Sequence, residues 1–459
     1  MNNIKTNDLH RTSKYLKEPR ENKIFKRVSV LYLFAYYILP PYFGIPAPGF
    51  DLTGLRIMLI IAALMIVSDF DRYTFFVNMV RKEKITYFFL PYMFVIAYTM
   101  VLRIDFNAFL NPFLEIVEMF LLIYMIRESL GVDETVRLVI FFIWILAILG
   151  IEEGITTVSP FSYLKNLDGI YAGRYIRAGN YRTMSNCAHS LGFGLLLSTM
   201  LPFAGYDIEK KELNVFKRPV LLALLMVNVF LNGSRSTLGI SFAEVAVMFV
   251  LSDRKYLKKN VLLVSIVAVI GAGLLVVGQG TPPGRYVMLQ ITTVIDTIFG
   301  TSYSVKYGAN LTLLSSSSAY RDQLKGIFGV TWLNPLLGIG RKRNFMGMVN
   351  GNRIISIDSF YIAEYVRYAY PGMISYIFML ACTGFIMLKD MIKTRSALIR
   401  VLLISSVMYC IDLYVIDSLM TLKYLYLNIA IFVCLETTPY VTKEDTCKYL
   451  VKRKSAYVR

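Results

Sequence analysis

Long apolar runs alternate with short polar loops along almost the whole chain. Apolar stretches cover residues 28–46, 53–69, 85–103, 109–126, 134–156, 186–205, 219–233, 236–252, 260–279, 360–388, 398–418 and 420–436. Most approach the roughly 20 residues that a helix needs to cross the hydrocarbon of a bilayer. They are continuous rather than alternating with period two, so they predict helices and exclude a β-barrel. The expected fold is an all-α polytopic membrane protein of about twelve transmembrane helices. The pattern divides the chain into a basic cytosolic segment (1–27), nine spans (28–279), a large outer loop with short helices (280–359), three further spans (360–436) and a basic cytosolic tail (437–459). Residues 28–46 lack a small-residue cleavage site, which predicts a signal anchor. No internal repeat is visible.

Composition agrees with this pattern. The chain of 459 residues is 56% hydrophobic and 17% charged, with a mean hydropathy of +0.53, where soluble domains carry more charge. The net charge of +18 is accounted for by loops that orient the chain against anionic lipid, and no basic-aromatic motif for nucleic acid is present. With both termini inside, the inner segments hold 19 Lys and 13 Arg and the outer ones 5 Lys and 12 Arg. An orienting charge can be either residue, whereas a planar fork for phosphate oxygens is Arg. The outer bias toward Arg therefore points to anion binding on that face. Only His10 and His189 are present, and the five Cys fall in or beside spans or in the tail. That excludes a multi-His metal centre and a disulfide-framed loop, and no cofactor is expected.

The candidate chemistry lies in the outer segments. Arg177 and Arg182 precede the sixth span, and Arg235 sits in a tight turn between two spans. An Arg near the interface also has the plain reading of a side chain snorkelling to lipid headgroups. The interval 280–357 carries eight Lys/Arg, among them Arg285, Arg321, Arg341 and Arg343, against two acids, Asp296 and Asp322. Apolar residues at helical spacing (Leu324, Ile327, Phe328) predict an amphipathic helix over 320–332 lying on the membrane. Asp358 then stands at the mouth of the tenth span, as an N-cap acid or as a proton acceptor. On a continuous helix Tyr361 is its nearest polar neighbour and Arg367 lies on the opposite face.

Four pieces occur in order: Arg177 with Gly179 before a span; Ser234-Arg235 opening another; Arg321, Trp332 and the Pro-Leu-Leu-Gly-Ile-Gly run at 335–340; and Asp-Ser-Phe-Tyr-Ile at 358–362 before Tyr-Pro-Gly at 370–372. Together they resemble the O-antigen polymerase and ligase superfamily of bacterial surface-polysaccharide assembly. The resemblance covers about 177–372. It implies a multispanning enzyme of the cytoplasmic membrane whose outer face transfers glycans from an undecaprenyl diphosphate carrier without a metal. A polysaccharide chain-length regulator is a further implied partner. Ligases of the superfamily carry His-Asn where this chain has Asp358-Ser359, which favours a polymerase. Ala369 stands where the superfamily usually has Gly. The implied roles are Asp358 as general base; Arg177, Arg235 and Arg321 on the diphosphate; and Arg182, Arg285, Arg341, Arg343 and Tyr361 around the substrate. One carboxylate with several Arg implies direct, inverting displacement. A ligase acting on another acceptor is the near alternative. A flippase of lipid-linked sugars is the distant one, favoured by Glu115 and Glu118 one turn apart inside the fourth span.

Overall fold

The computed structural model describes residues 23–47, 51–104, 106–171, 173–177, 180–341 and 345–435. The helices are, in order, α1 (Lys23–Tyr37), α2 (Gly54–Val67), α3 (Phe70–Lys82), α4 (Lys84–Arg103), α5 (Phe106–Met125), α6 (Val132–Thr156), α7 (Ser190–Gly205) and α8 (Pro219–Asn232). They continue with α9 (Arg235–Leu251), α10 (Arg254–Gly278), α11 (Pro282–Phe299), α12 (Leu311–Leu324), α13 (Phe360–Thr394), α14 (Ala397–Asp412) and α15 (Leu422–Val433). Strands among the described residues are limited to four two-stranded hairpins in the connections. The chain is thus all-helical. Each apolar stretch of the sequence holds a helix, and four of the described helices, α4, α6, α10 and α13, are long and apolar enough to cross a membrane. These apolar helices mark a membrane-embedded protein.

The ends of the helices follow local chemistry. α1 stops at Tyr37 because Pro40 and Pro41 cannot continue it. Residues 70–82, read from their charge as a loop, form α3, capped by the Asp69 carboxylate on the Asp71 and Arg72 amides. α8 ends on Gly233 at φ +63°, and Ser234 opens α9 by accepting from the Thr237 amide. The amphipathic helix expected over 320–332 begins earlier. α12 runs to Leu324 and passes into a 3-10 turn at Lys325–Gly329.

α7 is the centre of the bundle: every residue from Gly192 to Gly205 is buried. It is flanked by α8, α9 and α14, and α13 lies along α4. α10 is the opposite case, with Asn260 its one buried residue; its apolar surface fits a lipid-facing position.

The longest helix, α13, is broken. Ala369 adopts φ +58° and ψ −160°, a region that side chains rarely enter. Two residues on, Pro371 has no N–H to give the Arg367 carbonyl. The 335–340 run docks into this break. Ile339 and Gly340 donate to the Val366 and Arg367 carbonyls at 2.8 and 2.9 Å, and the Tyr370 amide donates to the Pro335 carbonyl at 3.3 Å. Gly338 sits at φ +60°, where a Cβ would stand 2.5 Å from the Val366 oxygen. Two of the sequence motifs are therefore halves of one contact, which delivers Arg341 into the bundle.

Candidate functional site

The 232–235 turn gathers several of the arginines singled out in the sequence. Glu153, at the end of α6, accepts from the Tyr181 hydroxyl (2.7 Å) and from the Met184 and Ser185 amides (2.8 and 2.7 Å). That fixes the segment carrying Arg182. The Arg182 guanidinium is 2% exposed, donates through Nε to the Asn232 carbonyl at 2.7 Å and lies over the Tyr175 ring. Arg235 is the first residue of α9 and its Nη1 reaches Thr297 Oγ1 of α11 at 3.4 Å. Tyr286, beside Arg285, donates to the Phe230 carbonyl at 2.9 Å and its hydroxyl stands close to Gly233. Arg321 of α12 faces Asp412, which in turn faces Ser236 and Thr237 of α9. Arg182, Arg235 and Arg321, drawn from three distant parts of the sequence, thus surround the first turn of α9. A helix N-terminus with arginines is a suitable surface for phosphate oxygens.

Asp358 belongs to the same surroundings. Its carboxylate accepts from Ser356 Oγ at 2.8 Å and remains part-exposed. His189, the N-cap of α7, feels both the Asp358 and the Arg182 charges, and the Tyr175 ring lies 4.5 Å from its own. Asp358 is not the N-cap of α13. Ser359 holds that position, without a side-chain capping bond.

The expected pairing of Asp358 with Tyr361 is corrected. The helix begins at Phe360, so the two do not share a helical face. The Tyr361 hydroxyl instead donates to the Cys410 carbonyl at 2.8 Å, tying α13 to α14. Arg285 is exposed on α11 and makes no contact with Asp358 among the described ones. Arg177 pairs through its backbone with Asn180 in a hairpin, and its side chain lies outside the described residues, as does all of Arg343.

Behind this rim the bundle contains a charged interior. Arg341 pairs with Glu115 of α5. Arg367 pairs with Asp417 and, at 3.0 Å, with Glu364, whose other oxygen accepts from the Tyr92 hydroxyl at 2.9 Å. A cavity of about 460 Å³ is lined by Asp51, Arg56, Asn111, Glu115, Glu118 and Lys423. A second, of about 270 Å³, holds His189, Arg367, Asp417 and the same Lys423. The two share Pro41, Leu419 and Met420 as well, so the cavities adjoin between His189 and Glu118. Sequence reasoning missed Arg56, His189, Asp417 and Lys423 as site residues. Their one signal was charge at the edge of an apolar run, which orienting residues share.

No protein-family model matches the sequence, and no curated protein matches it.

Proposed function

We propose that the protein is a polysaccharide polymerase of the O-antigen or capsule type. It transfers a growing glycan from undecaprenyl diphosphate to a hydroxyl of an incoming lipid-linked repeat unit on the outer face of a bacterial cytoplasmic membrane. The observation that carries this reading is the gathering of Arg182, Arg235 and Arg321 around the first turn of α9, with Asp358 and Arg182 both near enough to His189 to act on its charge.

A sugar on a diphosphate leaves with its bonding electron pair on the diphosphate oxygen. Arginines and helix amides held in place stabilise that developing charge more than the ground state. The acceptor hydroxyl attacks the anomeric carbon from the opposite side and passes its proton to the Asp358 carboxylate. The displacement then inverts the anomeric centre and needs one carboxylate. Arg341 and Arg367 are already engaged by Glu115 and by Glu364 with Asp417, so in this reading they support the site rather than take the diphosphate.

The cavity lined by Glu115, Glu118 and Lys423 favours a second reading, a flippase of the same lipid-linked sugars. Liposomes containing the purified protein and fluorescent lipid-linked repeat units separate the two. A polymerase lengthens the glycan without moving it across the bilayer, and a flippase does the reverse. Arg235→Lys keeps the charge but loses the fork and should cut polymer formation by about 100-fold. Full polymer synthesis by that variant would remove Arg235 from the site.

A further inference from the structure

We propose that Glu244 of α9 and Asp412 of α14 form a binding site for one small monovalent cation, Na⁺ or a proton, inside the bundle. Both side chains are completely buried, α9 packs on α14, and the two carboxylates are electrostatic neighbours. None of their four oxygens has a hydrogen-bond partner of good geometry among the described residues. Two such carboxylates out of water cost several kcal/mol each by the general rule, unless a charge compensates them. One does so in part: Arg321 faces Asp412. That leaves a single negative charge.

The surrounding atoms indicate what fits there. Thr237, Ser241 and Glu244 recur at a spacing that puts them on one face of α9. The Ser241 hydroxyl is fully buried and has no hydrogen-bond partner among the described residues, and Ser236 and Thr237 lie beside Asp412. The donors available are carboxylate and hydroxyl oxygens, which suit a hard cation and not a soft metal.

The charges on the other packed elements are engaged elsewhere: on α13 Arg367 is bonded to Glu364 and Asp417, and Lys423 of α15 lines the cavities beside Glu118 and His189. α7 carries no ionisable residue. The amide nitrogen of Asn228 on α8 is spent on the Ala147 and Leu224 carbonyls. Asp296 of α11 is held by Thr301, Tyr303 and Ser304. Arg400, at the far end of α14, is bonded to Asp253. Glu244 lies nine residues after Arg235, about 14 Å along α9 by the helical rise, and is fully buried among helices; in a membrane protein an ionisable group so placed marks an ion or proton site. The site shares Arg321 and the Ser236–Thr237 end of α9 with the arginine cluster, but it does not depend on a polymerase reaction.

The test is thermal unfolding of the full-length protein in detergent, in NaCl or choline chloride of equal ionic strength, at mildly acidic and mildly alkaline pH. A bound ion stabilises the folded state in proportion to the logarithm of its concentration. The expected result is a higher Tm in Na⁺ at alkaline pH and a smaller Na⁺ effect at acidic pH, where a proton occupies the site. Glu244→Gln should abolish both dependences. A Tm that follows pH but not Na⁺, and loses that dependence in Glu244→Gln, assigns the site to the proton. A Tm indifferent to both, or responses that survive in Glu244→Gln, overturns the proposal. Should Glu244→Gln fail to fold, Asp412→Asn and Ser241→Ala carry the same reading: a weakened response supports the site and an unchanged one overturns it.

Discussion

Arg341 shows how a charge found in the sequence becomes something else in the fold. Among the outer cations it had no distinguishing neighbour, yet the docking of 335–340 on α13 carries it to Glu115. Removing one member of a buried pair leaves the other charge uncompensated, which costs about 3 kcal/mol. Arg341→Ala should therefore lower the unfolding midpoint strongly, and Arg341→Met with Glu115→Leu should recover most of the loss. A double variant as unstable as the single one would show that the pair is not the cause. Asp296 offers a test by pH. Desolvation pushes its carboxyl up, but hydrogen bonds from Ser304, Thr301 and the Ser304 and Tyr303 amides outweigh that and hold it down at about 2. A depressed carboxylate contributes stability that is complete above its unfolded value of about 3.9 and lost as pH falls toward the folded one. Asp296→Asn should thus be less stable near neutrality and lose less on acidification between about pH 4 and pH 2. Equal acid sensitivity in both proteins would contradict this assignment. Asp358 and Arg182 were singled out by residue type and position, and the structure places both near His189. Tyr361 was misplaced because its bond to the Cys410 carbonyl depends on where α13 starts.

Ala369 is the informative position among the elements. Its φ of +58° carries a strain of roughly 1–3 kcal/mol, which a glycine escapes at an entropic cost of about 0.5–1 kcal/mol. Ala369→Gly should raise stability by about 1 kcal/mol. A fall in the unfolding midpoint would mean that the methyl group packs usefully in its buried place. Gly338→Ala should act in the opposite sense. Its Cβ would meet the Val366 oxygen at 2.5 Å, so the 335–340 run must lift from the break in α13. Both stability and activity should drop, because Arg341 and Arg367 both depend on that contact. The Pro and Gly residues of 335–340 and 370–372 stand out in the sequence, but the span at 360–388 was read as unbroken, and only the tertiary structure shows the break at Ala369 and pairs the two runs. The helices themselves were readable because continuous apolar runs need no pairing information. α3 was not, since a polar amphipathic segment reads as a loop by charge alone.

At the scale of the whole molecule, the 232–235 turn is tied to the long loop through Thr297 and Tyr286, and the Arg127–Glu83 and Arg400–Asp253 pairs lie in other connections. The proposed orientation puts the first set outside. A single cysteine introduced at Lys306 should react with an impermeant thiol reagent in intact cells, and one at Lys217 should react only after lysis. Labelling in the reverse order would invert the topology and move the proposed chemistry to the wrong face. The pattern of helices was legible along the chain, whereas the gathering of residues 182, 235, 321 and 358 was not, since it rests on contacts between residues 50 or more apart in the sequence. The central claim is that this gathering polymerises lipid-linked glycan. Its most direct test is the length of glycan formed when the purified protein is incubated with lipid-linked repeat units in EDTA, for the wild type and for a folded Asp358→Asn variant. A ladder of longer lipid-linked glycans is expected from the wild type and none from the variant; repeat units left unchanged by the wild type would contradict a polymerase.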